Sequence, residues 1–361
     1  VTSPEAPSHK SKSTLVVVPW LEGGGAQGAL ENLLQKLPSD ELTLVILFSG
    51  SRNHEPVKKL VQTTVELNCP RSIFGVLTAG KKLHPLLKDA TSVYSLMRAS
   101  HLVLGLLPSA ALQGKRLAAT FHQLPSQDSV GLQGRLEDLL VKRGVKSAGL
   151  ITAPSARAVT ELIDGKFGTS RNTQLEHNLI SFSDRPKTQP RTGSLDCLRL
   201  VFAGRITKQK GLDRIPELLA ATSMPIHLIC LGDGDEKAKI SKIVQEIDEP
   251  HRVEMIPHVD DIDSYFDWCD AIFMPSRWEL NPLVIWEARA RGRGAITSNI
   301  DVFHDLASSG PTWMFSDANS FATTVTQLSQ DEEERSRAFE YALESIHELD
   351  TRSAIVEYLD V

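Results

Sequence analysis

The apolar positions fall into short runs separated by amphipathic segments, and they do so in two successive series. The first series begins with Thr14–Pro19, a β-branched apolar run of strand length. Gly23-Gly24-Gly25 and a helical spacing over about Gln27–Leu37 follow it. Leu42–Phe48, Thr63–Leu67, Leu102–Leu106, Arg116–Phe121, Gly149–Thr152 and Thr173–His177 read as further strands. Val57–Leu60, Lys81–Ser100, Gly134–Val145 and Ser155–Ile163 read as helices, the second broken at Pro85 and the last capped near Ser155. In Lys81–Ser100 the apolar residues Leu83, Leu86, Leu87, Val93, Leu96 and Met97 lie between Lys81, Lys82, Lys88 and Arg98. That pattern fits a helix packed on a sheet with solvated lysines, or an amphipathic surface for an anionic membrane.

Ser183–Ser194 is polar, carries prolines and has almost nothing apolar, as a linker does. The second series then alternates in the same way. Leu198–Ala203, Ile226–Leu231 and Val253–Ile256 read as strands, with helices running to about Ala221, to about Ile247 and over Ile262–Trp268. Helical segments over 317–329, 331–348 and 352–359 end the chain. Two strand–helix series joined by a linker predict an α/β protein of two Rossmann-like domains facing across a cleft.

Residues 270–298 hold the centre of the second series. Ala271–Met274 is a short apolar strand, Pro275 to Asn281 a turn, and Pro282 fits the first position of a helix, where its missing N–H costs nothing. That helix is expected to run to about Arg291 and stop at Gly292, with Gly294–Ser298 as the next strand. A loop at the carboxyl end of a strand thus opens into a helix N-terminus, a ready place for an anion. Glu279 precedes the helix and Glu287 lies inside it, spaced Glu-x7-Glu.

Composition adds limits. At 361 residues the chain is long enough for two domains. No run approaches the ~20 apolar residues that span a bilayer. The first residues, Val1–Ser13, are polar and lack the apolar core of a signal peptide, so the expectation is a disordered lead-in and a cytoplasmic protein. Cys69, Cys197, Cys230 and Cys269 are scattered, which favours reduced thiols over a disulfide or zinc site. The net charge of −6 divides unevenly: residues 1–190 sum to +7 and residues 191–361 to −13. A basic half suggests an anionic partner, whether phosphorylated substrate, acidic lipid or nucleic acid. Nucleic acid is disfavoured, since no recognised motif accompanies the charge.

The candidate chemistry lies mostly in the second half. Arg205 and Lys210 sit in the loop after a strand, where Arg can grip two phosphate oxygens and Lys adds a compact charge. Either alone is an ordinary surface charge; together with the Pro282 helix start and Glu-x7-Glu downstream they suit a diphosphate. Gly232-Asp233-Gly234 reads as a turn before a metal site, and Asp260-Asp261-Ile262-Asp263 as helix capping.

These residues resemble the GT-B retaining glycosyltransferases of the group 1, or family 4, class. Gly204-Arg205 through Lys210-Gly211 resembles the family's donor-phosphate motif, Gly232-Asp233-Gly234 its Gly-x-Gly turn, and Glu279 to Glu287 its Glu-x7-Glu signature. The resemblance covers about residues 14–345, and it is stronger in the second half. It implies that Arg205 and Lys210 bind a donor diphosphate, with Gly204 and Gly232 in the loops beside it. Glu287 would bond the ribose. Glu279 would lie beside the donor sugar, with the Asn281–Leu283 segment around it, Asn281 and Leu283 offering main-chain N–H groups on either side of Pro282. Gly24 and Gly25 would let the first domain close on the phosphate, and His122 would contact the sugar from the acceptor side. For a histidine at a strand end taken alone, a structural role is the simpler reading.

The resemblance further implies a hexosyltransferase-type enzyme that moves a sugar from a nucleoside-diphosphate sugar to a hydroxyl acceptor, with front-face attack and no metal or other cofactor. The acceptor would be an envelope glycolipid, polysaccharide precursor or other glycoconjugate, anionic or lipid-linked. A peripheral contact at the inner face of the membrane through the N-terminal domain fits such an acceptor. Expected domains are a lead-in at 1–13, an acceptor domain at 14–182, a linker at 183–195 and a donor domain at 196–345. Residues 346–361 are expected to return to the first domain. The chain departs from the family at Asn178-Leu179, at Leu280-Asn281-Pro282 and around Ile300-Asp301-Val302. These departures keep open a non-catalytic nucleotide-sugar-binding protein of the same fold; a nucleotide-sugar epimerase is disfavoured by Glu-x7-Glu.

Overall fold

The structure is a computed structural model of the chain, and it describes residues 13–22, 25–51, 55–128, 131–178, 188–259, 261–347 and 352–360. It divides into two compact units, one taking residues 1–179 with 351–361 and the other residues 180–350.

The first unit runs β1 (Thr14–Val18), α1 (Gly25–Leu34), β2 (Leu42–Phe48), α2 (Glu55–Lys58), β3 (Thr63–Cys69), α3 (Ile73–Leu86), β4 (Ser92–Leu96), α4 (Arg98–Gly105), β5 (Arg116–Thr120), α5 (Pro125–Asp128), α6 (Gly131–Val145), β6 (Leu150–Ala153), α7 (Ala156–Asp164) and β7 (Thr173–Leu175). Among the described residues its seven strands form one parallel sheet in the order β3-β2-β1-β4-β5-β6-β7. β1 pairs in register with β2 through Val16↔Leu44 and with β4 through Val16↔Tyr94. β1 and β4 are buried along their whole length, so neither shows the in–out alternation of a half-exposed strand, and β4 buries Ser92 and Ser95 with its apolar residues.

The second unit runs β8 (Leu198–Ala203), α8 (Ile215–Ala220), β9 (Ile226–Leu231), α9 (Lys237–Gln245), β10 (Arg252–Ile256), α10 (Asp263–Trp268), β11 (Ala271–Met274), α11 (Leu283–Ala290), β12 (Gly294–Ser298), α12 (Asp301–Ala307), β13 (Thr312–Phe315), α13 (Ala318–Gln330) and α14 (Glu332–His347). Its described strands form a parallel sheet in the order β10-β9-β8-β11-β12-β13. Phe202, Phe273, Phe315 and Phe321 meet in the core on one face of it. The last helix, α15 (Ala354–Asp360), belongs to the first unit, where Ile355 and Leu359 join the core. Glu176 fastens it, accepting from Ile355 N at 3.5 Å and from the Ser353 hydroxyl. α14 runs through His347 with Ala342 and Ser345 buried in the second unit, so the return to the first unit begins later than residue 346.

Two expectations fail between residues 81 and 106. Lys81–Ser100 is not one helix but the end of α3, the central strand β4 and the start of α4, and Leu102–Leu106 is helix α4 rather than a strand. Leu83, Leu87, Val93 and Leu96 are core residues at 0–1% exposure, so they cannot present a membrane surface. The break between β4 and α4 falls at Met97, with φ 66°, a turn made without glycine or proline. Pro282 is likewise the N-cap of α11, with extended ψ of 109°, rather than its first helical residue. No described helix is long and apolar enough to cross a membrane.

The linker region lies partly outside the described residues, and its described part is fastened to the second unit. Arg335 donates to the carbonyl oxygens of Arg191 and Gly193, and Arg191 holds Asp270 through Nε at 2.9 Å. Arg289, Arg291 and Arg293, at 0–3% exposure, point inward as well. Arg289 donates to Leu306 O, Arg291 pairs with Asp267, and Arg293 donates to Phe266 O. Their charge is met by oxygens inside the unit, as a buried guanidinium requires.

Candidate functional site

Chain order in the second sheet reverses between β8 and β11, and such a switch point opens a crevice at the carboxyl ends of the two strands. The loop after β8 carries Gly204, Arg205 and Lys210; the loop after β11 carries Ser276 to Pro282 and leads into α11. The two loops are laced together. Arg277 N donates to Gln209 O at 2.8 Å, and the Arg277 guanidinium grips Asp213 through two bonds of 2.8 Å. The bidentate pairing holds the Asp213 carboxyl below its ordinary range.

Glycine is required where the loops after β8 and β9 meet. Gly204 has φ 153° and Gly232 φ 139°, and a Cβ on Gly232 would lie 2.1 Å from Gly204 O. Ile206 N donates to Asp233 O at 2.9 Å, which makes the Gly232 turn a support for the Arg205 loop. The Asp233 carboxylate is occupied by Lys237, four residues on, and by His258 N from the loop after β10. No group of metal-binding side chains occurs among the described residues.

Lys210 Nζ lies 2.5 Å from Glu279 Oε1, with side-chain exposures of 16% and 6%. The Ser276 hydroxyl donates to the same carboxylate oxygen at 2.7 Å, and Gln209 Nε2 to the other at 3.4 Å. Gln209 also donates to Trp278 O at 2.9 Å. Ser276 and Gln209 are the residues that sequence reasoning missed. They stand next to the recognised motifs, but neither spacing nor residue type marks them as holders of Glu279. Arg205 is exposed and has no hydrogen-bond or ion-pair partner among the described residues.

Glu287 lies one helical turn after Leu283 on α11, half-buried, with no partner among the described residues. Burial, with Asp263 nearby, raises its carboxyl above the ordinary range. A carboxylate in that position has lone pairs to give to ligand hydroxyls. The first N–H groups of α11, at Leu283 and Val284, precede the helical ladder, whose first bond runs from Ile285 N to Pro282 O at 3.1 Å. Asn281 takes the N–H of Trp286 on its Oδ1 at 3.0 Å. Since indole can only donate, the amide orientation is settled, and Nδ2 is left buried without a partner among the described residues.

The remaining residues belong to the first unit. His122 follows β5, and Gly25 opens α1 after β1; Gly24 lies outside the described residues. In a parallel sheet both positions are at the carboxyl edge. His122 borders a cavity of about 20 Å³ lined also by Tyr94, Thr120, Thr152 and Glu176, room for one water. The residue as a whole is half-buried, and burial lowers the pKa of its ring to about 4, so the imidazole is neutral at pH 7.

Comparison with known proteins bears on this arrangement. Residues 185–345 match the family described as glycosyl transferases group 1. The O-antigen biosynthesis glycosyltransferase WclY of Escherichia coli is 35% identical over 101 residues, 28% of this chain and 28% of that protein, well short of its full length. Anabaena HepE, solved in complex with UDP and glucose, superposes with a TM-score of 0.78 at 15% identity, covering 97% of both chains. The lipopolysaccharide outer core galactosyltransferase WaaB superposes with a TM-score of 0.70 at 14% identity, again over 97% of both. The chain therefore has the GT-B fold, with two parallel-sheet Rossmann-like domains and a group 1 glycosyl transferase match in the second of them.

Proposed function

We propose that the protein is a retaining glycosyltransferase of the family 4 type, moving a hexose from a nucleoside-diphosphate sugar to a hydroxyl of an envelope glycoconjugate. The observation that carries the proposal is the gathering at one switch point of a Lys210–Glu279 pair with Arg205 and a half-buried Glu287, both without partners among the described residues. Cations beside free helix N–H groups suit a diphosphate, and an unused carboxylate suits ribose hydroxyls. Breaking the anomeric C–O bond builds negative charge on the departing diphosphate, which Arg205 and Lys210 can stabilise. The acceptor hydroxyl attacks from the same face and gives its proton to the leaving phosphate, so configuration is retained without a carboxylate nucleophile. With two cations in that role the reading is metal-independent transfer.

Uridine is the first base to test, since HepE was solved with UDP and with UDP-glucose. An envelope acceptor is supported by the O-antigen and lipopolysaccharide assignments of WclY and WaaB; that it is reached from the cytoplasmic side is part of the proposal. The test is a thermal-shift screen of nucleoside diphosphates and their sugars, followed by release of the diphosphate from the best donor with and without chelator. The expected result is a raised melting point and chelator-resistant turnover. A raised melting point with no turnover, with or without acceptor extracts, would identify a binding protein instead.

A further inference from the structure

Lys210 can serve a diphosphate only if its ammonium is held in place, and its own loop supplies little to hold it. Lys208–Lys210 is a single 3₁₀ turn with no buried residue, closed by Lys210 N to Thr207 O at 3.0 Å. It ends at Gly211, whose φ is 69° and where a Cβ would lie 2.2 Å from Pro275 O. The chain therefore turns directly against the start of the loop after β11.

Arg277, from that second loop, holds the turn on both sides of Lys210. Before the lysine, Arg277 N donates to Gln209 O and Nη1 to Lys208 O, each at 2.8 Å. After it, Nη1 and Nη2 reach the two oxygens of Asp213, again at 2.8 Å each. Asp213 is itself a fixed post, because its neighbour Arg214 donates to the Ser298 hydroxyl at 3.2 Å and lies 5.4 Å over the Phe315 ring. With Gln209 returning its amide to Trp278 O and Glu279, residues 208–213 and 276–279 close a ring of bonds around the Lys210–Glu279 pair.

A guanidinium so close to Lys210 could instead be a third phosphate cation. Its geometry argues against that use. Three of its five N–H groups are spent on the Lys208 carbonyl and in a bidentate fork on Asp213. Its charge is thus met inside the protein, whereas Arg205 has no partner among the described residues.

We propose that Arg277 and Asp213 are positioning residues, a clamp that sets Lys210 opposite Glu279 and so fixes where a donor diphosphate is held. The inference rests on the reading of Lys210 as a diphosphate ligand and extends it to two residues that act through Lys210. Opening the clamp leaves the charge of Lys210 unchanged but frees the turn that carries it. Phosphate contacts then weaken, while contacts with the nucleoside stay as they were.

The experiment compares the full chain with Arg277→Gln, Arg277→Lys, Asp213→Asn and the Asp213→Asn/Arg277→Gln double variant, by two readouts. The first needs no ligand: the rate of amine acylation of Lys210, mapped by mass spectrometry against the exposed Lys242 of α9. The second is binding of UDP, GDP and ADP, each beside its nucleoside. Every variant should label Lys210 at least about threefold faster relative to Lys242. Nucleoside diphosphate should bind about tenfold more weakly, with nucleoside affinity unchanged. Because the two side chains act as one unit, the double variant should be no worse than Arg277→Gln. Arg277→Lys should do no better than Arg277→Gln, since lysine keeps the charge and lacks the fork.

Tighter diphosphate binding by Asp213→Asn would show that a released Arg277 is itself a phosphate ligand, and would overturn the clamp. Full affinity in Arg277→Lys would overturn it too, as would unchanged labelling of Lys210 in variants that melt like the parent. A parent that binds none of the three diphosphates would sink the functional reading instead, and the labelling ratio would still decide the clamp.

Discussion

Removing the charge of Glu279 separates two jobs that the Lys210–Glu279 contact combines. In the free protein the Lys210 ammonium is held at 2.5 Å by a carboxylate that is 6% exposed. A donor diphosphate must share or take over that ammonium. In Glu279→Gln the side chain keeps its shape and can still receive the Ser276 hydroxyl bond, but it no longer competes for Lys210. With the ammonium partly exposed, the competing attraction is about 1 kcal/mol, so nucleoside diphosphate should bind about fivefold more tightly. In Lys210→Met the carboxylate is left with only Ser276 and Gln209. The loss of a charge-assisted phosphate contact should weaken diphosphate binding by about 2 kcal/mol, roughly thirtyfold. The same change leaves a buried charge uncompensated and should lower stability by about 3 kcal/mol. Titration calorimetry with UDP and denaturant unfolding of both variants give the four numbers. Equal weakening of UDP binding in both variants would refute the competition, and an unchanged Lys210→Met affinity would remove Lys210 from the phosphate site. Transfer should fall in both variants, because Glu279 lies beside the reacting sugar in the proposed function.

Three further outcomes follow from burial and charge. The Glu287 carboxyl is raised above 4.5 in the folded state, so its ionisation opposes folding at neutral pH and not below the unfolded value. Glu287→Gln should therefore melt higher than the parent at pH 7 and lose that advantage as pH falls towards 4.5, while binding nucleotide more weakly; calorimetric scans at several pH values check both. His122 is lowered from 6.5 to about 4, so the unfolded chain takes up its proton first and stability falls as pH drops through that window. His122→Asn should flatten part of the acid limb of a stability–pH curve between 6.5 and 4. Ile355→Ala, at 4% exposure in the first unit's core, should cost about 2–4 kcal/mol and leave the response of the second unit to nucleotide intact, as read by tryptophan fluorescence and thermal shift.

The second unit was the more legible half in sequence because its chemistry is local. β8 and the loop that follows it, or β11 with the turn and helix after it, are continuous segments in which strand, glycine and helix start stand in the order in which they act. The phosphate-type residues and both glutamates could be named from their place in those segments. Residues 81–106 were misread for a physical reason. β4 is central and buried on both faces, so it lacks alternation, and α4 is buried nearly all round with Ser100 and His101 covered beside its leucines, so no solvent face marks it as a helix. Neither periodicity survives where there is no solvent face, and the boundary at Met97 carries no glycine or proline to mark it.

The sequence by itself determined the alternation of elements, the two series and the residue types at the switch point, since these depend on neighbours along the chain. Only the tertiary structure decided who meets whom. It put Glu279 against Lys210, assigned Ser276 and Gln209 to hold that pair, and left Arg205 and Glu287 without partners among the described residues. It turned Arg289, Arg291 and Arg293 inward, where oxygens from distant segments receive them. It also moved the exposed apolar surface from Leu83–Met97 to Ile73, Phe74 and Leu77. Exposure and pairing are set by which faces the sheet covers, and that depends on strand order, which no local spacing encodes.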